Sequence, residues 1–139
     1  MSEFAIQTFL AFDVGLKRTG VARGQNHTKT ANPAGQLLVN RGRMDWAEVD
    51  ELIKEWEPVK IIIGDPKSDD PQLKKVINRL KSHIQQQHKI PIVDVDETLS
   101  TSAANAEFDG GQHSIKRKTK LRDQLAACLI LESYLSALD

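Results

Sequence analysis

Thr8-Phe9-Leu10-Ala11-Phe12-Asp13-Val14-Gly15-Leu16-Lys17-Arg18-Thr19-Gly20-Val21-Ala22-Arg23-Gly24 is the stretch that decides the fold. Its short apolar run, bounded by a glycine, reads as a buried strand. The run leads into a carboxylate, Asp13, which is costly to bury without a partner or a metal. Gly15 permits a tight turn that carries Lys17 and Arg18. Thr19 to Ala22 reads as the returning strand, so the stretch is a hairpin with an acid at the end of its first arm. Asp13 there either bonds the turn backbone at Gly15 or Leu16, or anchors a metal.

Beyond the hairpin, His27 to Gly35 is polar, and Gln36 to Val39 reads as a third strand. Asn40 to Arg43 is a turn with two bases. Asp45 and Glu48 form a capping-box pattern, and Trp46, Val49, Leu52, Ile53 and Trp56 recur at helical spacing. The spacing predicts a helix over 45–57, stopped by Pro58, with both tryptophans in the core. Val59 to Gly64 is a β-branched run that reads as a central strand. Asp70 followed by Pro71 starts a second helix, with Leu73, Val76, Ile77, Leu80 and Ile84 as its apolar stripe. Ile90 to Val95 is the next strand, with Pro91 at its beginning and Asp96 and Glu97 at its end. A short helix runs from Ser100 or Thr101 to Phe108, stopped by Asp109-Gly110-Gly111. His113 to Lys120 reads as a polar, basic loop, and Leu121 to Leu138 as a buried final helix. Strands alternating with helices give an α/β class with a parallel portion of sheet, and the hairpin adds an antiparallel portion.

With 139 residues the chain suits one domain, 1–139, without repeat or linker. Its formal net charge of +0 excludes a global basic signature, so any nucleic-acid surface must come from local asymmetry. A single cysteine, Cys128, excludes an internal disulfide and a multi-cysteine zinc site. No stretch has the length of a membrane span, and Met1 to Gln7 lacks the pattern of a signal peptide. A soluble cytoplasmic protein is therefore expected. His27, His83, His88 and His113 show no paired ligand spacing and read as surface or loop residues.

Ligands of open α/β sheets bind outside the carboxyl ends of the parallel strands. If the first and last strands are neighbours, Asp13 and Glu97 project from one edge. Asp123 shares a helix face with Ala127, Ile130 and Tyr134, so it either points inward to join them or complements the helix dipole. Carboxylates brought together repel unless a cation intervenes, and oxygen-only ligands suit Mg²⁺ or Mn²⁺. Two such ions can stabilise both the attacking and the leaving oxygen of phosphodiester hydrolysis. Lys116, Arg117, Lys118, Lys120 and Arg122, joined by Lys17 and Arg18, supply the bases that backbone phosphates require.

Phe12-Asp13-Val14-Gly15 with Gly20-Val21-Ala22, the VKIIIGDP segment, Asp96-Glu97-Thr98-Leu99-Ser100-Thr101, and Arg122-Asp123-Gln124-Leu125-Ala126-Ala127 with Ile130 to Leu135 resemble the YqgF (RuvX) family. These are ribonuclease H-like proteins, described as candidate Holliday junction resolvases and as nucleases maturing the 5′ end of pre-16S ribosomal RNA. The resemblance covers essentially the whole chain, in order. It implies a ribonuclease H-like fold with a mixed five-stranded sheet and metal-dependent phosphodiester cleavage. The family's acidic triad falls on Asp13, Glu97 and Asp123 as catalytic residues and metal ligands, with Asp96 as a possible helper. The basic loop before the last helix is expected to face the nucleic acid. One departure is that Gly64-Asp65-Pro66 leads within a few residues to Asp70-Pro71, where the family usually has a longer loop.

The expected function is a Mg²⁺- or Mn²⁺-dependent endonuclease on structured nucleic acid, foremost precursor ribosomal RNA. Branched DNA is the alternative substrate. The shortened loop motivates a second class, a binding module that keeps the fold without cleavage. A third, an actin-like phosphotransferase, also begins with a strand ending in Asp-x-Gly, but it needs a second nucleotide-binding half that this chain is too short to hold.

Overall fold

A computed structural model describes residues 5–66, 69–96 and 115–138, with the backbone alone at 115–121. The strands are β1 (Thr8–Val14), β2 (Arg18–Gln25), β3 (Ala31–Asn40), β4 (Arg43–Met44), β5 (Lys60–Asp65) and β6 (Ile92–Asp96). The helices are α1 (Trp46–Trp56), α2 (Pro71–Gln87) and α3 (Ile115–Ser136). One mixed sheet has the order β4-β3-β2-β1-β5-β6. The first four strands in sequence pair antiparallel, while β1, β5 and β6 run parallel.

Six strands therefore replace the expected five, the addition being the two-residue β4 at the turn after β3. The first and last strands are not neighbours, because β5 lies between them. Since all three are parallel, their carboxyl ends nevertheless share one edge.

The central strands are apolar on both faces because helices cover both. Leu10, Phe12 and Val14 enter one core with Val49 and Ile53 of α1 and Val76, Ile77, Leu80 and Ile84 of α2. Phe9 and Ala11, pointing the other way, join Ala22, Ile62 and the α3 residues Ala127, Ile130, Leu131 and Leu135. Trp46 and Trp56 pack against the first core, as their spacing predicted.

Helix starts follow the local chemistry. Asp45 accepts a hydrogen bond from the Ala47 amide at 3.0 Å, and Asp70 one from the Gln72 amide at 2.9 Å. Glu57, in the left-handed region with φ 46°, closes α1 immediately before Pro58.

Two boundaries differ from the sequence reading. β3 begins at Ala31, five residues before Gln36, because Pro33 and Gly35 sit at a β-bulge rather than in a loop. Val21 pairs with Gly35 and Ala22 with Pro33, so Ala34 is the extra residue, and Gly35 takes φ +150°. α3 begins at Ile115, so Lys116, Arg117, Lys118 and Lys120 stand on its opening turns instead of in a loop. Lysine and arginine are good helix formers, and no glycine or proline interrupts the run. The short helix expected between Ser100 and Phe108 lies outside the described residues.

Candidate nuclease site

Strand alternation sets the site. Asp13 follows Phe9 and Ala11 at period two, so it belongs to the α3 face of the sheet. Its antiparallel partner on β2 is Gly20. Directly opposed residues share a face, so the missing side chain of Gly20 also belongs on the α3 side. That omission is required there. A Cβ on Gly20 would lie 1.9 Å from the backbone oxygen of Asp123. Asp13 thus lies beside Gly20 in the sheet, and Asp123 lies above it on the helix. Two acids 110 positions apart by number are brought to one glycine.

Two neighbours fix the Asp123 carboxylate. Arg18 Nε and Gln36 Nε2 each donate to its Oδ2 at 3.0 Å. Arg18 and Gln36 reach it because β2 and β3 present them on the same face: Gly20 pairs with Gln36 and Arg18 with Leu38. The Arg18 side chain is 42% exposed and that of Asp123 23%. An ion pair so open adds little stability, about 0–1 kcal/mol, and its effect is to orient the carboxylate.

The donor set suits a hard cation. Asp13 and Asp123 offer oxygen only, on one face. Among the described residues, both Arg18 and Gln36 bond the Oδ2 of Asp123.

The other expected site residues fall as follows. Glu97, which follows β6 in sequence, lies outside the described residues. Lys17 and Arg122 are exposed. Lys116, Arg117, Lys118 and Lys120 occupy the backbone of the first turns of α3. Arg18 is engaged with Asp123. Asp96 belongs to the opposite face: Val95 packs with the α3 core, while Ile92 packs with the α1–α2 core and Asp94 pairs with Lys81 of α2. Alternation then turns Asp96 away from Asp13 and Asp123, so the helper role does not fit. Gln36 escaped the sequence reading because it opens an apolar run. Only the register with Gly20 shows which way it faces.

The histidines require a larger correction. His83 and His88 do not stand apart, since the Nε2 of each lies 2.7 Å from Asp50 Oδ1. Burial pushes the Asp50 carboxyl up, but hydrogen bonds from His88 and His83, with their charge, outweigh it and hold it below the usual carboxylate range. The three form a group that could hold a metal ion. His27 is exposed, as expected, and His113 lies outside the described residues.

A mixed sheet of this order with helices on both faces is the ribonuclease H-like architecture. Two solved structures share it. T. thermophilus RuvC in complex with Holliday junction substrate matches with a TM-score of 0.57 at 13% identity, covering 94% of each chain. The Fowlpox virus resolvase, bound to Holliday junction DNA, matches with a TM-score of 0.57 at 13% identity over 94% of this chain and 98% of that one.

Within that class, the chain belongs to the RuvX family, described as Holliday junction resolvase, whose model matches residues 7–137. Among its relatives, a candidate pre-16S rRNA nuclease of Actinobacillus pleuropneumoniae serotype 5b (strain L20) is 35% identical over 139 aligned positions, 94% of this chain and 98% of that protein. One of Klebsiella pneumoniae (strain 342) is 38% identical, over 91% of this chain and 94% of the relative. One of Legionella pneumophila (strain Lens) is 36% identical, with the same coverage. Fold and family make the chain a hydrolytic nuclease. No described helix is long and apolar enough to cross a membrane.

Proposed function

We propose that this protein is an endonuclease that matures the 5′ end of pre-16S ribosomal RNA in the cytoplasm, using Mg²⁺ or Mn²⁺ held by Asp13, Glu97 and Asp123. The observation that supports the reading is that Gly20 pairs with Asp13 in the sheet and lies against the backbone of Asp123, which puts both residues on the α3 side. The substrate follows the relatives, which are named for pre-16S rRNA. When bound, the ions stabilise the charge that develops on the attacking and leaving oxygens of the scissile phosphate.

The chain's own residues do the rest. Arg18 and Gln36 hold the Asp123 carboxylate on the face that Asp13 shares. Lys116, Arg117, Lys118, Lys120 and Arg122 bring five positive charges to the opening turns of the helix that carries Asp123. They bind backbone phosphates, and Lys17 extends the basic surface from the hairpin turn. Such contacts position a substrate without reading its bases, so RNA ends and branched DNA compete for one surface. Branched DNA is the second reading, favoured by the family's description.

A cleavage assay with Mg²⁺ or Mn²⁺, comparing precursor 16S RNA with a four-way DNA junction, separates the two. Trimming of the RNA in preference to the junction is the expected result. Asp13→Asn should reduce cleavage by at least about a hundredfold, as loss of an electrostatic contributor does, while circular dichroism remains that of the folded protein. Undiminished cutting by the variant would overturn the metal assignment. Retained RNA binding without cutting by the parent protein would mark a binding module.

A further inference from the structure

We infer that Asp50, His83 and His88 form a second metal site, selective for a borderline divalent transition ion such as Zn²⁺, on the side of the sheet opposite the acids of the nuclease site. The proposal does not rest on the nuclease reading.

Three ligand atoms of the right kind converge there. His83 Nε2, His88 Nε2 and Asp50 Oδ1 all lie within 4.8 Å of one another. Two imidazoles and one carboxylate suit Zn²⁺ and its neighbours, whereas Mg²⁺ takes oxygen. Three protein ligands leave one position of a tetrahedral ion open to water.

The convergence depends on how α2 ends. Positions five apart on an uninterrupted helix diverge by about 140°, at 3.6 residues per turn. His88 is instead the C-cap, with φ −120° and ψ −23°, and the next residue, Lys89, takes φ 55°. This exit from helical geometry brings the His88 ring edge-on to His83, with centroids 5.9 Å apart. On the other side, Trp46 stacks on His83 with centroids 4.6 Å apart and planes 17° from parallel. One histidine is thus held by α1 and the other by the end of α2, with Asp50 projecting from the middle of α1. The histidine side chains are largely buried, at 16% and 20% exposure, while Asp50 at 45% gives an ion access from solvent. A bound ion would replace the two histidine–carboxylate hydrogen bonds and tie α1 to α2.

The site is separate from the first. Residues of α1 and α2 pack on the Leu10, Phe12 and Val14 face, and Asp13 lies on the other. Each site can therefore be removed without touching the other.

Titration of the chelator-treated full-length protein with ZnCl₂, followed by calorimetry, tests the proposal, with Co²⁺ absorption as a spectroscopic reading of the ligand set. One ion per chain with histidine ligands is expected, with micromolar or tighter affinity. His88→Gln should weaken it by at least about tenfold, since even outer-shell partners of a metal are worth about 10–100-fold. His83→Gln should do the same, and should abolish the rise in unfolding temperature that Zn²⁺ gives the parent protein. If His83→Gln does not fold, His88→Gln at the helix end carries the test. Asp13→Asn should keep the histidine-ligated ion as the parent does. No binding below millimolar Zn²⁺, equal binding by the His83→Gln/His88→Gln protein, or loss of binding in Asp13→Asn alone would each overturn the proposal.

Discussion

Gln36 shows how one side chain on a neighbouring strand can orient an acid of the proposed site. It shares Asp123 Oδ2 with Arg18, and together they orient the carboxylate. Gln36→Ala should raise the Mg²⁺ concentration needed for half-maximal cleavage by about 10–100-fold, with little effect on the unfolding temperature. A metal titration of activity measures this, and an unchanged requirement would remove Gln36 from the site. Cys128 gives a second expectation. Burial, then Glu132, raises its thiol, against a smaller opposing effect of Arg23, to about 12. An unfolded thiol ionises near about 8.5. The unfolded chain therefore loses this proton first as pH rises. The stabilisation is complete below the unfolded value and is lost progressively between it and about pH 12, by at most about 1.4 kcal/mol per pH unit. Denaturation between pH 7 and 10 should show a shallower decline for Cys128→Ala than for the parent protein. Asp13 and Asp123 could be read from the sequence, because an acid in an otherwise apolar pattern demands a reason. Asp50, His83 and His88 could not, because their meeting depends on the backbone of a single C-cap residue.

α3 is the element on which the site turns. Its seat on β2 is so close that Gly20 admits no side chain. Gly20→Ala would drive a methyl group into backbone rather than into a side chain that could swing aside. It should destabilise the protein by about 1–3 kcal/mol, the usual range for overpacking, and displace Asp123. Chemical denaturation and metal-dependent cleavage should fall together. Full activity at normal stability would mean that the helix has room to spare. The existence of α3 was legible from its apolar pattern, and so were α1, α2 and the parallel strands. Its first turns were not, since a run of lysines and arginines flanked by glycine reads equally as a loop. The same ambiguity hid the start of β3, where Pro33 and Gly35 carry loop chemistry but occupy a bulge that only pairing with β2 reveals.

At the scale of the whole molecule, the sheet separates two kinds of chemistry. The α3 face carries oxygen donors and, along the same helix, a basic run. The α1–α2 face carries the histidine cluster. The alternation of helix and strand was enough to predict an α/β sheet whose parallel strands end at one edge. Which strands are neighbours was not, because β5 enters between β1 and β6 only in three dimensions. Manganese binding, read by electron paramagnetic resonance on the folded protein, tests most directly whether Asp13 and Asp123 serve one ion. Each of Asp13→Asn and Asp123→Asn should by itself release the bound Mn²⁺, with a loss of affinity of at least about tenfold. Mn²⁺ held equally well by both variants would mean that the two acids share no cation.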